Sequence, residues 1–214
     1  MWNWSENQIK LVLIRHGATK SNLEHRYLGK MEESLSTEGK KELQKSGREG
    51  RYPQVDMVFS SPMKRCIETA EILYPGRAPI VIPEWEETDF GDFEGKNPMD
   101  LRDDTRYQAW IDSGGTLPFP GGESKENFAH RCDIGFHKMM ELIPMQENPG
   151  GSFGECVTAV IIAHGGTIMS LLSRYYGGDY FDYQVPNGGG YLCTVRCISE
   201  NGRERFEIVD VNKI

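Results

Sequence analysis

Short apolar runs alternate with longer amphipathic segments along the 214-residue chain, and this alternation predicts buried strands connected by helices. The predicted strands cover 9–14, 55–60, 80–82 and 158–163. The predicted helices between them cover 36–51, 62–73 and 166–176. The runs at 9–14 and 158–163 are almost wholly aliphatic, which is typical of strands covered on both faces. The pattern therefore favours a three-layer α/β/α sandwich around a mostly parallel central sheet.

The middle and the end of the chain depart from this alternation. Helices are predicted at 100–111 and 123–143 with only a Gly/Pro-rich loop between them, so we expect a helical cap insertion at about 97–145 within one domain spanning 1–214. A loop is predicted at 149–154. Two strand-like runs, 191–198 and 205–211, flank Asn201-Gly202 and predict a terminal hairpin.

Charge and cysteine content narrow the classes of protein. The formal net charge of −8 argues against nonspecific binding to nucleic acid or to an anionic membrane surface, both of which need a basic face. No apolar run approaches the roughly 18 residues of a transmembrane helix, and the first residues lack the basic and apolar regions of a signal peptide. The five cysteines show no metal-binding or redox spacing, so we expect reduced core thiols and a cytoplasmic location.

Two histidines and two arginines fall near the carboxyl ends of predicted strands, where open α/β sheets bind ligands. His16 and His164 each come directly after a buried strand and directly before a glycine. Arg15 precedes His16, and Arg65 lies in the first turn of the helix after the second strand. A single histidine in such a place is usually structural, but four cationic or imidazole groups at one sheet edge predict an anion site. Phosphate fits it, because guanidinium groups bind phosphate bidentately.

These groups suit nucleophilic chemistry at phosphorus. A neutral imidazole can attack phosphorus if a backbone carbonyl holds its other nitrogen, while a charged second histidine would stabilise the oxygens of the transferred group. The leaving alkoxide needs a proton, and the acidic segment at 84–89 offers Glu84, Glu86 and Glu87 as donors. Crowded acids raise one another's pKa and arginines lower it, so the residues alone leave the donor open.

Five sequence blocks resemble, in order, the histidine phosphatase superfamily, also called phosphoglycerate mutase-like. They are Arg15-His16-Gly17-Ala18-Thr19 with Asn22, the run from Ser60 to Ala70, Glu87 to Gly95, Pro120 to Ser124, and Ala163-His164-Gly165-Gly166. One Arg-His-Gly tripeptide is weak support, but five blocks in family order are specific.

The resemblance implies a role for each matched position. His16 would be the phosphorylated nucleophile and Glu87 the proton donor, with Arg15, Arg65 and His164 completing the phosphate pocket. Further contacts to phosphate or substrate are expected from the following residues: Asn22, the backbone N–H of Gly165, Gly17, Thr19, Tyr27 and Glu123. Glu123-Ser124 could instead cap the long helix. The resemblance implies no metal and no organic cofactor.

Two departures from the family pattern affect the expected function. Ala18 stands where relatives often carry Glu or Gln, and the glycines of 186–190 leave the shape of that loop open. The long insertions of glycolytic mutases are not evident, which favours a phosphatase acting on a small phosphomonoester. A phosphoglycerate mutase and a non-catalytic phospholigand-binding module are the alternatives. Sugar phosphates, phosphoglycerates, nucleotides and α-ribazole phosphate all remain open as substrates, as does the oligomeric state.

Overall fold

A six-stranded sheet forms the centre of the computed structural model, which describes residues 8–143, 157–200 and 203–214. The strands are β1 (Gln8–Arg15), β2 (Met57–Ser60), β3 (Ile80–Val81), β4 (Thr158–Ala163), β5 (Gly190–Glu200) and β6 (Arg203–Lys213). Their spatial order is β3-β2-β4-β1-β5-β6. The first four strands are parallel, and β5 and β6 pair antiparallel at one edge. The predicted, mostly parallel sheet is confirmed.

Strands β1 and β4 form the middle of the sheet because their side chains are apolar on both faces. Leu11 and Leu13 point into one core cluster, and Val12 and Ile14 point into the other. All four side chains are inaccessible to solvent. Burial on both faces is what a nearly unbroken aliphatic run predicts for a central parallel strand.

Helices cover both faces of the sheet, and this confirms the predicted three-layer sandwich. They are α1 (Lys20–Leu23), α2 (Thr37–Arg48), α3 (Lys64–Leu73), α4 (Thr105–Asp112), α5 (Lys125–Leu142) and α6 (Gly165–Tyr175). Helices α5 and α6 pack on one face, and α3, with α2 beside it, packs on the other. Among the described helices, none combines the length and the apolar character needed to span a bilayer.

Helix α5 belongs to the sandwich, although the predicted insertion at 97–145 included it. Its residues Phe128, Cys132, Phe136 and Met139 are buried in the same cluster as the core side chains of β1 and β4. An 18-residue helix with such an apolar face is stabilised by packing on the sheet. The part of the predicted insertion that lies outside the layers is the stretch between residue 97 and the start of α5. It contains α4, and every residue of α4 is at least partly exposed.

The start of α3 differs from the prediction. The helix predicted over 62–73 follows Ser61-Pro62, a pair typical of a helix cap and first turn, but it begins at Lys64 with Met63 in the N-cap position. The Ser61 hydroxyl oxygen lies 2.8 Å from Nε2 of His164 but 3.3 Å from the amide nitrogen of Met63, so its closer partner is the histidine.

The other differences are small. The C-terminal hairpin is present as β5 and β6, and the described cysteines are buried as expected. Four parts of the chain lie outside the described residues: residues 1–7, the predicted loop at 149–154, Cys156, and the predicted turn at Asn201-Gly202.

Replacing Phe136 by Ala tests whether α5 is part of the main core. Phe136 is 0% exposed and its ring lies 4.4 Å from that of Tyr175 on α6, so the free energy of unfolding should fall by about 3–5 kcal/mol. Ile134→Ala on the same helix is the control, since Ile134 is 38% exposed and should cost less than about 1 kcal/mol. Urea unfolding measures both, and equal losses would contradict the packing described for α5.

Candidate active site

His16 lies at the carboxyl end of β1 with its ring buried and fixed in one tautomer. Its backbone N–H donates to the carbonyl of Ala163 at the end of β4 (2.9 Å), and only 3% of the residue is exposed. Its Nδ1 lies 2.7 Å from the Gly17 carbonyl oxygen, which can only accept. Nδ1 therefore carries the proton, and Nε2 keeps its lone pair for attack.

Electrostatics around His16 favour this neutral form. Burial is the largest influence, and with the charges of Arg65 and Arg15 it holds the pKa of His16 well below its usual value, against the opposing effect of the Gly17 carbonyl. A neutral imidazole at working pH is what a nucleophilic histidine requires.

His164 lies beside His16 at the end of β4. The ring centroids are 5.2 Å apart with an interplanar angle of 67°, and His164 is completely buried. Its Nε2 is within hydrogen-bond distance of the Ser61 hydroxyl, a partner that the sequence analysis did not identify. Burial, followed by the charges of Arg65, His16 and Arg15, lowers the pKa of His164 well below normal. The charged form expected for this histidine is therefore disfavoured in this structure, and a phosphate dianion would supply the charge that favours it.

Two buried guanidinium groups face the same end of the sheet. Arg65 donates to the carbonyls of Gly29 (2.8 Å) and Met31 (3.1 Å), and Arg15 donates to the carbonyl of Val185 (2.8 Å). The Nε–H groups of both arginines are buried and have no hydrogen-bond partner among the described residues. Buried N–H donors normally have a hydrogen-bond acceptor, and the oxygens of a bound phosphate would be suitable acceptors for these two.

Glu87 is the acid nearest the histidines. Its Oε2 lies 3.6 Å from Nδ1 of His164, and its Oε1 accepts from the Thr88 amide at 2.9 Å. Glu84, another of the three candidates, pairs with Lys138 instead. Among the candidate acids, geometry thus favours the one that the family resemblance implied.

The environment of Glu87 favours its protonated form. Its side chain is 12% exposed, and burial raises its pKa above the ordinary value. The Thr88 amide and the charges of Arg65, Arg15 and Arg131 oppose this effect without cancelling it. Residue 166 is glycine, and a Cβ there would lie only 3.2 Å from Oε1 of Glu87, so the missing side chain leaves room for the carboxyl group.

The loop at 186–190, whose shape the sequence left open, folds over His16. The Asn187 amide donates to Oδ1 of Asn22 (3.0 Å) and to the His16 carbonyl (3.1 Å). Asn22 is thereby held close to His16, and its predicted contact with phosphate stays a prediction. Thr19 is completely buried and caps α1, where its hydroxyl accepts from the Asn22 amide. In this structure Thr19 therefore has a structural role at the start of α1.

The two predicted glycines differ in what their amides offer. The N–H of Gly17 donates to the Thr69 hydroxyl at 3.0 Å and is already used. Gly165 is the first residue of α6, and a Cβ on it would lie 3.7 Å from Nε of Arg15. The N-terminus of α6 therefore lies beside the Arg15 guanidinium, where an anion gains from the free amides of a helix start.

Tyr27 and Glu123 do not join the two histidines. Tyr27 packs in a cluster of aromatic side chains made up of Phe90, Phe93, Tyr107, Trp110 and Phe119. Both carboxylate oxygens of Glu123 accept from Arg131 on α5, a residue that the sequence analysis missed. Glu123 is thus committed to an ion pair, and Ser124, not Glu123, caps α5. Among the described residues, no group of three His, Cys, Asp or Glu side chains is arranged to hold a metal ion.

Comparison with known proteins agrees with this geometry. Residues 11–213 match the model of the family described as the histidine phosphatase superfamily (branch 1). The chain belongs to the histidine phosphatase superfamily. The resemblance inferred from five short blocks is therefore confirmed over nearly the whole length.

Relatives within this superfamily carry both phosphatase and mutase names. An uncharacterized phosphatase, PhoE, of Bacillus subtilis is 31% identical over 94% of this chain and 93% of its own. A 2,3-bisphosphoglycerate-dependent phosphoglycerate mutase of Cytophaga hutchinsonii is 32% identical over 76% of this chain and 75% of its own. The crystal structure of the α-ribazole phosphatase of Shigella flexneri has a TM-score of 0.70 at 24% identity, covers 94% of this chain and 96% of its own, and shows the same fold.

The buried histidines make the stability of this superfamily member depend on pH. The pKa of His16 is lower in the folded chain than in the unfolded chain, so the unfolded state takes up a proton first as the pH falls below about 6.5, and stability declines. Glu87 acts with the opposite sign, because the stability that its raised pKa contributes is present at low pH and is lost as the pH rises through that pKa. We expect the free energy of unfolding to fall between pH 7 and 5.5.

The His16→Asn variant should lose less stability over this range, by up to about 1.4 kcal/mol per pH unit. Urea unfolding at a series of pH values measures the slope. Asn22→Ala, which removes a polar but non-titrating side chain from the same site, is the control and should keep the wild-type slope. A His16→Asn variant with an unchanged slope would contradict the assignment of His16 as a buried neutral imidazole.

Proposed function

We propose that the protein is a phosphomonoesterase, an acid-type phosphoric monoester hydrolase that forms a phosphohistidine on Nε2 of His16. The observation that carries the proposal is the combination of a buried neutral histidine, fixed by the Gly17 carbonyl, with a carboxyl group of raised pKa beside the neighbouring His164. A nucleophile in its basic form and an acid in its protonated form are what the first step needs. The proposed substrate is a small phosphorylated metabolite, and the reaction uses neither nucleic acid nor membrane.

In the first step Nε2 of His16 bonds to phosphorus while the bond from phosphorus to the ester oxygen breaks. The proton of Glu87 passes to that oxygen, so an alcohol leaves and Glu87 becomes a carboxylate. The Nε–H groups of Arg15 and Arg65 are available to the non-bridging oxygens, which carry charge throughout the transfer.

In the second step water attacks the phosphohistidine. Glu87, now a carboxylate, takes a proton from the water, the P–N bond breaks, and inorganic phosphate leaves with His16 neutral again. The same carboxyl group therefore serves as acid and then as base, and no further proton donor is needed.

A phosphoglycerate mutase is the second candidate, and the 32% identity to the Cytophaga hutchinsonii mutase favours it. The phosphatase is preferred for two reasons. The Bacillus subtilis relative covers more of the chain, and the stretch between residue 97 and the start of α5 carries a single eight-residue α-helix, α4. A short insertion leaves water access to the phosphohistidine, whereas a mutase must retain its phosphoryl group. A non-catalytic phospholigand-binding module ranks third, since nucleophile, acid and arginines are all present.

Trapping the phosphoenzyme tests the nucleophile. Reactions with ³²P-labelled substrate, quenched under alkaline denaturing conditions, should yield a base-stable, acid-labile phosphoprotein in the wild type and none in His16→Ala, whose turnover should fall by at least about 10³-fold because covalent catalysis is lost. His137→Ala, on the exposed face of α5, is the control and should behave as wild type. Full activity in His16→Ala would refute the proposed mechanism.

Product analysis separates the two reactions. A phosphatase incubated with 3-phosphoglycerate and 2,3-bisphosphoglycerate should release inorganic phosphate from them. A mutase would instead form 2-phosphoglycerate with little phosphate released. A panel of phosphomonoesters, including sugar phosphates, nucleotides and α-ribazole phosphate, then ranks substrates by kcat/KM. Isomerisation that outruns phosphate release on every substrate would replace the phosphatase proposal by the mutase.

A further inference from the structure

Arg131 on α5 uses all five N–H donors of its guanidinium group. Nε donates to Glu123 Oε1 (2.8 Å), and one Nη2 proton to Glu123 Oε2 (2.8 Å). The remaining donors reach three backbone carbonyls: Glu84 (2.8 Å), Glu86 (2.6 Å) and Glu87 (2.9 Å). The guanidinium carbon also lies 4.6 Å from the centre of the Phe128 ring. Such full satisfaction of a half-buried arginine fixes its position.

These bonds hold the segment that carries Glu87. This stretch joins two short 3₁₀ turns, Pro83–Trp85 and Gly91–Phe93, and forms no strand of its own. Arg131 holds carbonyls on the N-terminal side of Glu87 and at Glu87 itself. Glu123 holds the C-terminal side, because its N–H donates to the Asp89 carbonyl (2.9 Å) and its carboxylate accepts from the Asp89 amide (3.4 Å). The acid is thus restrained from both directions.

Glu123 also balances the charge of Arg131. Burial works against the cation, but the hydrogen bonds and charge of Glu123 outweigh it and raise the pKa of Arg131. Without this partner, an uncompensated positive charge near Glu87 would favour the carboxylate over the protonated acid.

We propose that Arg131, together with Glu123, is a positioning residue that holds Glu87 where it can protonate the leaving oxygen. The proposal rests on the phosphomonoesterase function above. Glu123 is thereby given a role in the acid's support in place of a direct substrate contact.

The dependence on the leaving group distinguishes this role from general stabilisation. A weakly basic leaving group such as 4-nitrophenolate departs without a proton, whereas phenolate, which is more basic, gains more from a general acid. Misplacing Glu87 should therefore slow hydrolysis of phenyl phosphate more than that of 4-nitrophenyl phosphate. A change in overall folding or in phosphate binding would slow both esters equally.

The experiment compares kcat/KM for these two esters in the wild type, Arg131→Gln and Arg131→Lys. In Arg131→Gln, phenyl phosphate should lose at least about ten-fold more activity than 4-nitrophenyl phosphate, within the range that a general acid contributes. Arg131→Lys should recover only part of this difference, because an ammonium group cannot donate in the planar five-fold pattern of a guanidinium. Glu123→Gln should shift the ratio in the same direction by a smaller factor, and it answers the question if Arg131→Gln does not fold.

Arg174→Gln is the matched control. Arg174 on α6 forms a 2.6 Å ion pair with Asp133 but is 57% exposed and contacts neither the histidines nor the acid segment, so the ratio of the two esters should stay at the wild-type value. Equal losses on both esters in the Arg131 and Glu123 variants, while wild type forms the phosphoenzyme, would overturn the role of Arg131 alone. A wild-type protein that hydrolyses neither ester would overturn the proposed function and this assignment with it.

Discussion

The hydrogen-bonded register between β1 and β4 pairs Leu11 with Ala159 and Arg15 with Ala163, and so ends two buried strands at the same level. His16 and His164 are the next residues along each strand, and the His16 amide continues the pairing by donating to the Ala163 carbonyl. Their rings consequently lie side by side at the carboxyl end of the sheet. A slip of one residue would exchange the β1 side chains between the two core clusters and offset His16 from His164, so packing of the core and geometry of the site depend on the same register.

The site concentrates buried cationic groups around two imidazoles whose pKa values are lowered. Burying a guanidinium group is costly unless its donors are satisfied, and here main-chain carbonyls of Gly29, Met31 and Val185 satisfy part of Arg65 and Arg15 without neutralising them. Burial, followed by the remaining positive field, holds the pKa of both histidines low. The same field would stabilise a phosphate dianion, so the charges that favour an unprotonated His16 also favour a bound anion beside it.

Much of this could be predicted because it depends on local sequence. Aliphatic runs predicted the central strands, and residues at the ends of two such runs, with the family spacing, predicted His16, His164, Arg15 and Arg65. The predicted start of α3 was wrong because Ser61, a residue type that often caps helices, lies within hydrogen-bond distance of a histidine 103 positions away in the chain. The long α5 was assigned to an insertion because its order in the chain, with no strand before it, does not reveal the face on which it packs.

The sequence did not indicate a role for Arg131, because three of its hydrogen bonds go to backbone carbonyls, and such bonds leave no pattern of residue types in the sequence. One sign was available, since Arg131 falls between Phe128 and Cys132 on the apolar face of α5, where a charge needs a reason. The structure supplies that reason in the acid segment beneath it. Arg15 and Arg65 lack a comparable carboxylate pair among the described residues, whereas Arg131 is matched by Glu123. The two arginines beside the histidines thus retain their positive field, while the charge of Arg131 is balanced. Burial therefore raises the pKa of Glu87 against the opposing charges of Arg65, Arg15 and Arg131, and of these three charges only that of Arg131 is paired with a carboxylate.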